Sequence, residues 1–224
     1  MHIDKKMPEH LAVYETLRDR VLLGRFSPGQ PMTIQGLAEM LGVGMTPVRE
    51  AIRRLTSENA LETLGNRRVI VPVLTQDQID DIYFLRRRIE PDLAARAVKN
   101  ITKKNVDELA KIDREVDVAI SSGDISGYLE RNKAFHFSIY ALAESPILMR
   151  AVQSLWLQVG PSLRVVCGRY GTANLPDKHT EILQAFLDAN PEAAASAMRE
   201  DLEQGIMLVG QSHIRNFDQN LGVV

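Results

Sequence analysis

Arg49 and Arg53 stand four residues apart and share a helical stripe with Thr46 and Thr56. Two guanidinium groups among small polar side chains suit a helix laid in the major groove of DNA, where arginine meets phosphates and guanine edges. The opposite stripe, Val48, Ala51, Ile52 and Leu55, has the spacing of a buried face. Together they predict a helix from about Met45 to Ser57 whose arginines the fold must leave outside.

The flanking segments look built to hold that helix. Thr33-Ile34-Gln35-Gly36-Leu37-Ala38-Glu39-Met40-Leu41 reads as a short helix with Thr33 as N-cap and Gly42 as stop. Gly42-Val43-Gly44 is the turn between the two. Before them, Glu9 to Leu23 carries the apolar stripe Leu11, Tyr14, Leu17, Val21 and Leu22, closed by Gly24. After them, Glu62-Thr63-Leu64, a turn containing Gly65 and Asn66, and Val69-Ile70-Val71 predict a two-stranded wing with Arg67 and Arg68 at its tip. Thr75 with Gln78 forms a capping box that opens the next helix.

From Gln76 onward the pattern is helical, over 76–99, 103–121, 125–143, 146–168, 177–188 and 191–212. Ser145-Pro146 and Asn190-Pro191 each place a capping residue before a first-turn proline. Pro91 and Pro161 fall inside helical patterns and predict a kink or a split. The fold class is therefore mainly α: a winged helix-turn-helix over 1–74, then an antiparallel all-helical bundle over 75–224.

Composition sets the outer limits. The chain has 224 residues, 45% hydrophobic and 25% charged, which suits a soluble protein with a real core. No apolar run reaches the roughly 20 residues of a membrane span, and the N-terminus lacks a signal-peptide core. A single cysteine, Cys167, excludes an internal disulfide framework and fits the cytoplasm; its apolar context reads as buried filler. Net charge is −2, with Lys and Arg in slight excess over 1–74 and Asp and Glu over the rest. That asymmetry supports a DNA-binding N-terminal domain only weakly.

Several stretches resemble the GntR family of bacterial transcription regulators, in its subfamily with an all-helical FadR-type ligand domain (FCD). Leu23-Gly24-Arg25-Phe26-Ser27-Pro28-Gly29 and Leu37-Ala38-Glu39-Met40-Leu41-Gly42-Val43 carry it, and Thr46-Pro47-Val48-Arg49-Glu50-Ala51-Ile52-Arg53-Arg54-Leu55 is the most specific. Tyr83 to Pro91, Asn132 to His136, Lys178 to Phe186 and Ala197 to Leu202 are similar to the ligand domain. The family usually has serine and arginine before the Thr-Pro pair; Gly44 and Met45 stand here, so one common DNA-contacting charge is missing. Asn59 replaces a usual glycine and also tolerates the left-handed conformation.

The resemblance implies a dimer reading a pseudo-palindromic double-stranded operator, with Arg49 and Arg53 on bases or phosphates and Gln35, Thr46, Arg67 and Arg68 as positioning contacts. It also implies a divalent metal, Zn²⁺ or Ni²⁺, held where many relatives carry Asp, His, His and His. The matching residues here are Asn132, His136, His179 and Asp201. Two imidazoles and a carboxylate still make a cation site, with Asn132 as a weak or indirect ligand. The competing reading is two buried, hydrogen-bonded histidines around a metal-free pocket. His213 lies about a third of a turn from the Asp201 face and reads as a surface residue.

Arg86, four residues before Glu90, is either a helical ion pair of a few tenths of a kcal/mol or, as the resemblance implies, an arginine that forks onto an effector carboxylate. Arg164 and Arg169 are further candidates. The expected function is a ligand-responsive regulator, a repressor by the commoner habit of the family, with a small organic acid as effector. An effector-independent DNA-binding protein is the alternative. A helical metallohydrolase is remote, because no paired Ser or Cys nucleophile and no phosphate-binding glycine loop is present. The effector, the operator and the metal's identity are not readable from the residues.

Overall fold

The computed structural model describes residues 8–64, 68–170 and 177–220, and gives the backbone alone for 169–170 and 206–220. The elements run α1 (Glu9–Leu22), β1 (Met32–Thr33), α2 (Ile34–Leu41), α3 (Met45–Ser57), β2 (Glu62–Leu64), β3 (Arg68–Ile70), then α4 (Gln76–Ala97), α5 (Lys103–Ser122), α6 (Ile125–Leu142), α7 (Pro146–Tyr170), α8 (His179–Leu187) and α9 (Pro191–Asn220). Two compact units result: Met1–Leu74 with Trp156–Ser162, and Thr75–Leu155 with Leu163–Val224. No described helix is long and apolar enough to cross a membrane.

In the first unit, local chemistry sets the turn that aims α3. The Thr33 hydroxyl accepts from the Gly36 N–H at 3.0 Å and starts α2. Gly42 ends it with φ 67°, a left-handed conformation glycine adopts without strain. The Val43 N–H then reaches back to the Ala38 carbonyl at 3.1 Å, satisfying an otherwise open helix end. Val48, Ala51, Ile52 and Leu55 of α3 are buried, with Leu17 and Val21 of α1 and Leu37 of α2 also in the core. After α3, Asn59 takes φ 57°, as its side chain permits.

The wing is larger than its sequence suggests. β1 joins it, giving a three-stranded antiparallel sheet in the order β1-β3-β2. Met32 pairs with Val69 and Thr33 with Arg68. A two-residue strand abutting a helix cap is too short to show alternation, so the pattern could not announce it. Arg67 lies outside the described residues.

The second unit is built from helices. α4 packs on α6 and α9, α5 on α6 and α8, and α8 on α9. Thr75 and Gln78 form the expected capping box, and Thr102 with Asn105 makes an unforeseen second one. Asp124 caps α6 and Asn190 caps α9. Of the kink or split expected at Pro91 and Pro161, the split does not occur: α4 and α7 are continuous through them. Around Pro91, buried Glu90, Leu93 and Ala94 hold α4 on both sides of the lost hydrogen bond.

Leu55 is fully enclosed and anchors α3 from behind. Leu55→Ala should lower the stability of the first unit by about 2–5 kcal/mol. Chemical denaturation followed by circular dichroism checks this, and an unchanged midpoint would mean that α3 is held otherwise.

Candidate functional site

Two sites emerge, one in each unit. On α3, Thr46, Arg49 and Arg53 are exposed. Gln35 on α2 is exposed as well, its amide donating to Glu39 at 2.9 Å. Arg68 is exposed on β3. Thr56 departs from the expected stripe: it is half-buried, and its hydroxyl is enclosed without a hydrogen-bond partner. At ~100° per residue it falls only about 40° from Ile52, so it borders the buried face.

Arg54, on the other flank, is committed within the unit. Its guanidinium lies 3.6 Å from the centre of the Tyr14 ring, and its Nε is 3.3 Å from Glu58. The Tyr14 hydroxyl donates to the same carboxylate at 2.7 Å. Arg49 and Arg53 are the exposed α3 arginines outside that cluster, with the exposed Glu50 between them.

The second site lies inside the helical unit. His136 of α6 and His179, the first residue of α8, are buried, and Asp201 of α9 reaches both. His136 Nε2 is 3.3 Å from Asp201 Oδ2, and His179 Nε2 is 4.0 Å from Oδ1. One ligand atom from each of the three lies within 4.8 Å of the others. Tetrahedral ligands held about 2.1 Å from a metal stand about 3.4 Å apart, so this spacing fits a small cation. His179 Nε2 is buried without a hydrogen-bond partner, a state that costs about 1–3 kcal/mol unless something occupies it. Asn132 lies one turn before His136 on α6 and is half-buried.

The surroundings are more polar than sequence spacing indicates. Asp113 of α5 meets His179 Nδ1 at 2.7 Å, and Asp177 accepts from the His179 backbone N–H at 3.2 Å. Burial works against the charged His179 imidazole, yet the Asp113 hydrogen bond and the Asp201 and Asp177 carboxylates raise it above the ordinary histidine range. Burial likewise opposes ionisation of Asp201, but the hydrogen bond and charge of His136 and the charge of His179 hold it below the usual carboxylate range. Asp113 sits 66 residues before His179, and no local spacing could have found it.

Arg86 is not the weak surface pair its spacing suggests. Both it and Glu90 are buried, with Nε to Oε1 at 2.5 Å and Nη2 to Oε2 at 3.2 Å. The fork that the resemblance assigns to an effector is thus taken by Glu90. The Tyr140 hydroxyl donates to Glu90 at 2.5 Å and stands 3.1 Å from His136 Nδ1. Arg164 of α7 is half-buried and donates to the Ser126 hydroxyl at 3.2 Å. The side chains of Arg169 and His213 lie outside the described residues. Cys167 is buried, and burial pushes its thiol up to about 11, as filler requires.

These two sites coincide with two matching family profiles. Residues 10–71 match the bacterial regulatory proteins of the gntR family, and residues 81–204 match the FCD domain. The transcriptional regulator McbR of Escherichia coli is 31% identical over 209 residues, spanning 92% of this chain and 94% of that protein. Its solved structure has a TM-score of 0.88 and covers 93% of this chain and 100% of that one. A GntR-family regulator of Pseudomonas syringae is 26% identical, with a TM-score of 0.58 over 96% of this chain and 91% of that one. The chain is a winged helix-turn-helix regulator with a helical C-terminal domain. It belongs to the gntR family of DNA-binding bacterial regulators, in the branch with an FCD domain; its relatives are transcription regulators rather than enzymes.

Removing Glu90 would deprive a buried guanidinium of its carboxylate. Glu90→Ala should therefore destabilise the helical unit by about 3–5 kcal/mol. Denaturant melts of the full chain test this, and a loss under about 1 kcal/mol would mean that the Arg86 charge is solvated in some other way.

Proposed function

We propose that this protein is a metal-dependent, ligand-responsive repressor whose helical unit senses a small organic acid. The observation that carries this reading is the convergence of His136 Nε2, His179 Nε2 and the Asp201 carboxylate around a buried nitrogen with no hydrogen-bond partner. Two imidazoles and one carboxylate suit Zn²⁺ or Ni²⁺, with Asn132 as a weak or indirect fourth donor. When bound, the ion supplies open positions for the carboxylate oxygens of an effector. Arg164 is the second contact we assign to it, while Arg86 is spoken for by Glu90.

In this reading Arg49 and Arg53 enter the major groove, and Gln35, Thr46, Arg67 and Arg68 position the unit on the backbone. A single reading helix contacts few bases, so a homodimer on a pseudo-palindromic operator is required. The exposed face of α4 supports one: Asp77 and Asp81, then Phe84 and Leu85, then Arg88. Two antiparallel copies of that face would set acids against arginines around an apolar centre. Effector binding would favour one arrangement of the two reading units and change operator affinity by its differential binding energy. A cytoplasmic setting follows from that role.

Arg49→Ala should abolish preference for the operator over random DNA and reduce the salt slope of binding by about 1, with helicity intact. Fluorescence anisotropy across a salt series measures this; wild-type specificity would refute the assignment of α3. The metal reading is tested by elemental analysis and by calorimetry with Zn²⁺ and a panel of organic acids. The sign of the pH dependence is fixed. The raised His179 stabilises the metal-free fold by holding a proton, an effect complete below the unfolded histidine range and lost as pH rises through the folded value. A metal needs that nitrogen unprotonated, so its affinity should rise with pH over the same window and release protons. His136→Ala should lower metal occupancy; full stoichiometry in that variant would remove His136 from the ligand set.

A further inference from the structure

Met45 is the first residue of α3 and is 48% exposed, a long apolar side chain on the helix that carries Arg49 and Arg53. At ~100° per residue, Arg49 lies about 40° round the helix from it and Arg53 about 80°, so one sector holds all three. Ile52 falls about 20° to the other side and is buried. Two turns, roughly 10 Å along the axis, separate it from Met45. Position at the tip of α3, not angle, therefore leaves Met45 uncovered.

Met40, also exposed, has its sulfur 3.7 Å from the Arg20 guanidinium. Met45 instead lines an open hollow with Ala38, Gly42 and Val43, which the exposed Gln35 lines as well. A single exposed apolar side chain is ordinary on a protein surface. This one shares the sector of the two arginines, one turn ahead of Arg49, where a reading helix points its first residues at base edges. A thioether is only a weak acceptor and gains little from the amino and carbonyl groups of the bases. The apolar feature in the major groove is the C5-methyl group of thymine. Methionine is flexible and polarizable enough to settle against it.

We propose that Met45 is a specificity-determining residue that packs on a thymine methyl group in each operator half-site. The proposal rests on the reading of α3 as the groove helix and adds a base that the arginines do not specify. Four residues of rise set Met45 about 6 Å from Arg49 along the axis, just under two base-pair steps of ~3.4 Å. The thymine is accordingly expected within about two base pairs of the Arg49 contact.

Selection of bound sites from random-sequence duplexes by the full chain supplies the operator. Each symmetry-related pair of thymines is then replaced by deoxyuracil, which keeps the hydrogen-bonding edge and removes only the methyl group. Fluorescence anisotropy should find one pair whose replacement weakens the wild-type protein about 4-fold per half-site, the equivalent of one buried methylene. Met45→Ala should bind the thymine operator about as weakly as wild type binds the substituted one, and should not distinguish the two. Met45→Leu should recover part of the discrimination. A wild-type protein indifferent to every methyl group would overturn the proposal. So would a Met45→Ala protein that keeps the discrimination, or one weakened equally on both operators, which would put Met45 on the sugar–phosphate backbone. Wild-type specificity in Arg49→Ala, or a selection that enriches no sequence, would refute the reading of α3 itself. Lost specificity in Arg49→Ala with no methyl effect in the wild type would refute the role of Met45 alone.

Discussion

The helical unit is organised by a requirement that its buried polar groups answer one another. Arg86, Glu90, His136 and His179 are all buried, and none could be there alone without a cost comparable to a large part of the stability of a domain. Each has its counterpart: Arg86 with Glu90, Glu90 with Tyr140, Tyr140 with His136, His136 with Asp201, and His179 with Asp113. The chain of contacts crosses α4, α5, α6, α8 and α9, so it specifies how those helices register. A bundle of purely apolar faces would tolerate small slides; one threaded by directional hydrogen bonds does not.

The reading unit depends on a simpler division of labour. α3 is a helix with one enclosed face and one exposed one, and the turn at Gly42 presents it. Arg54 illustrates that an exposed arginine can still be committed within the unit. It follows Arg53 directly in the chain, yet its guanidinium is laid on the Tyr14 ring and tied to Glu58, so it strengthens the packing of α1 on α3. Charge on a helix that approaches DNA is therefore not equivalent to charge available for it.

Much of the architecture was legible in linear order because it is set by local forces. Thr33, Gly42, Thr75 and Asn190 mark their helix ends by hydrogen bonds spanning a few residues, which spacing alone displays. The Val48, Ala51, Ile52, Leu55 stripe shows the same legibility for burial. The misreadings share a cause. The strand β1 exists only because β3 pairs with it, and Thr56 is half-enclosed only because neighbouring elements close over the edge of the stripe. At Pro91 the local rule for a break is overruled by the buried residues that hold α4 on both sides of it.

For the buried cluster the boundary is sharper. Residue types and the four-residue step to His136 made Asn132, His136, His179 and Asp201 worth singling out, and the family motif made the reading specific. The chain by itself thus determined the mainly helical fold class with its small winged part, the exposure of Arg49 and Arg53, and the nitrogen and oxygen donors present. Only the folded molecule decided what those donors face. The Asp113 partner of His179 is 66 residues away and the Glu90 partner of Tyr140 is 50, and a hydrogen bond across such separations depends on helix packing. Periodicity assigns a residue to a face; it carries no information about which other face that one meets, because that is fixed by the sum of all contacts in the core.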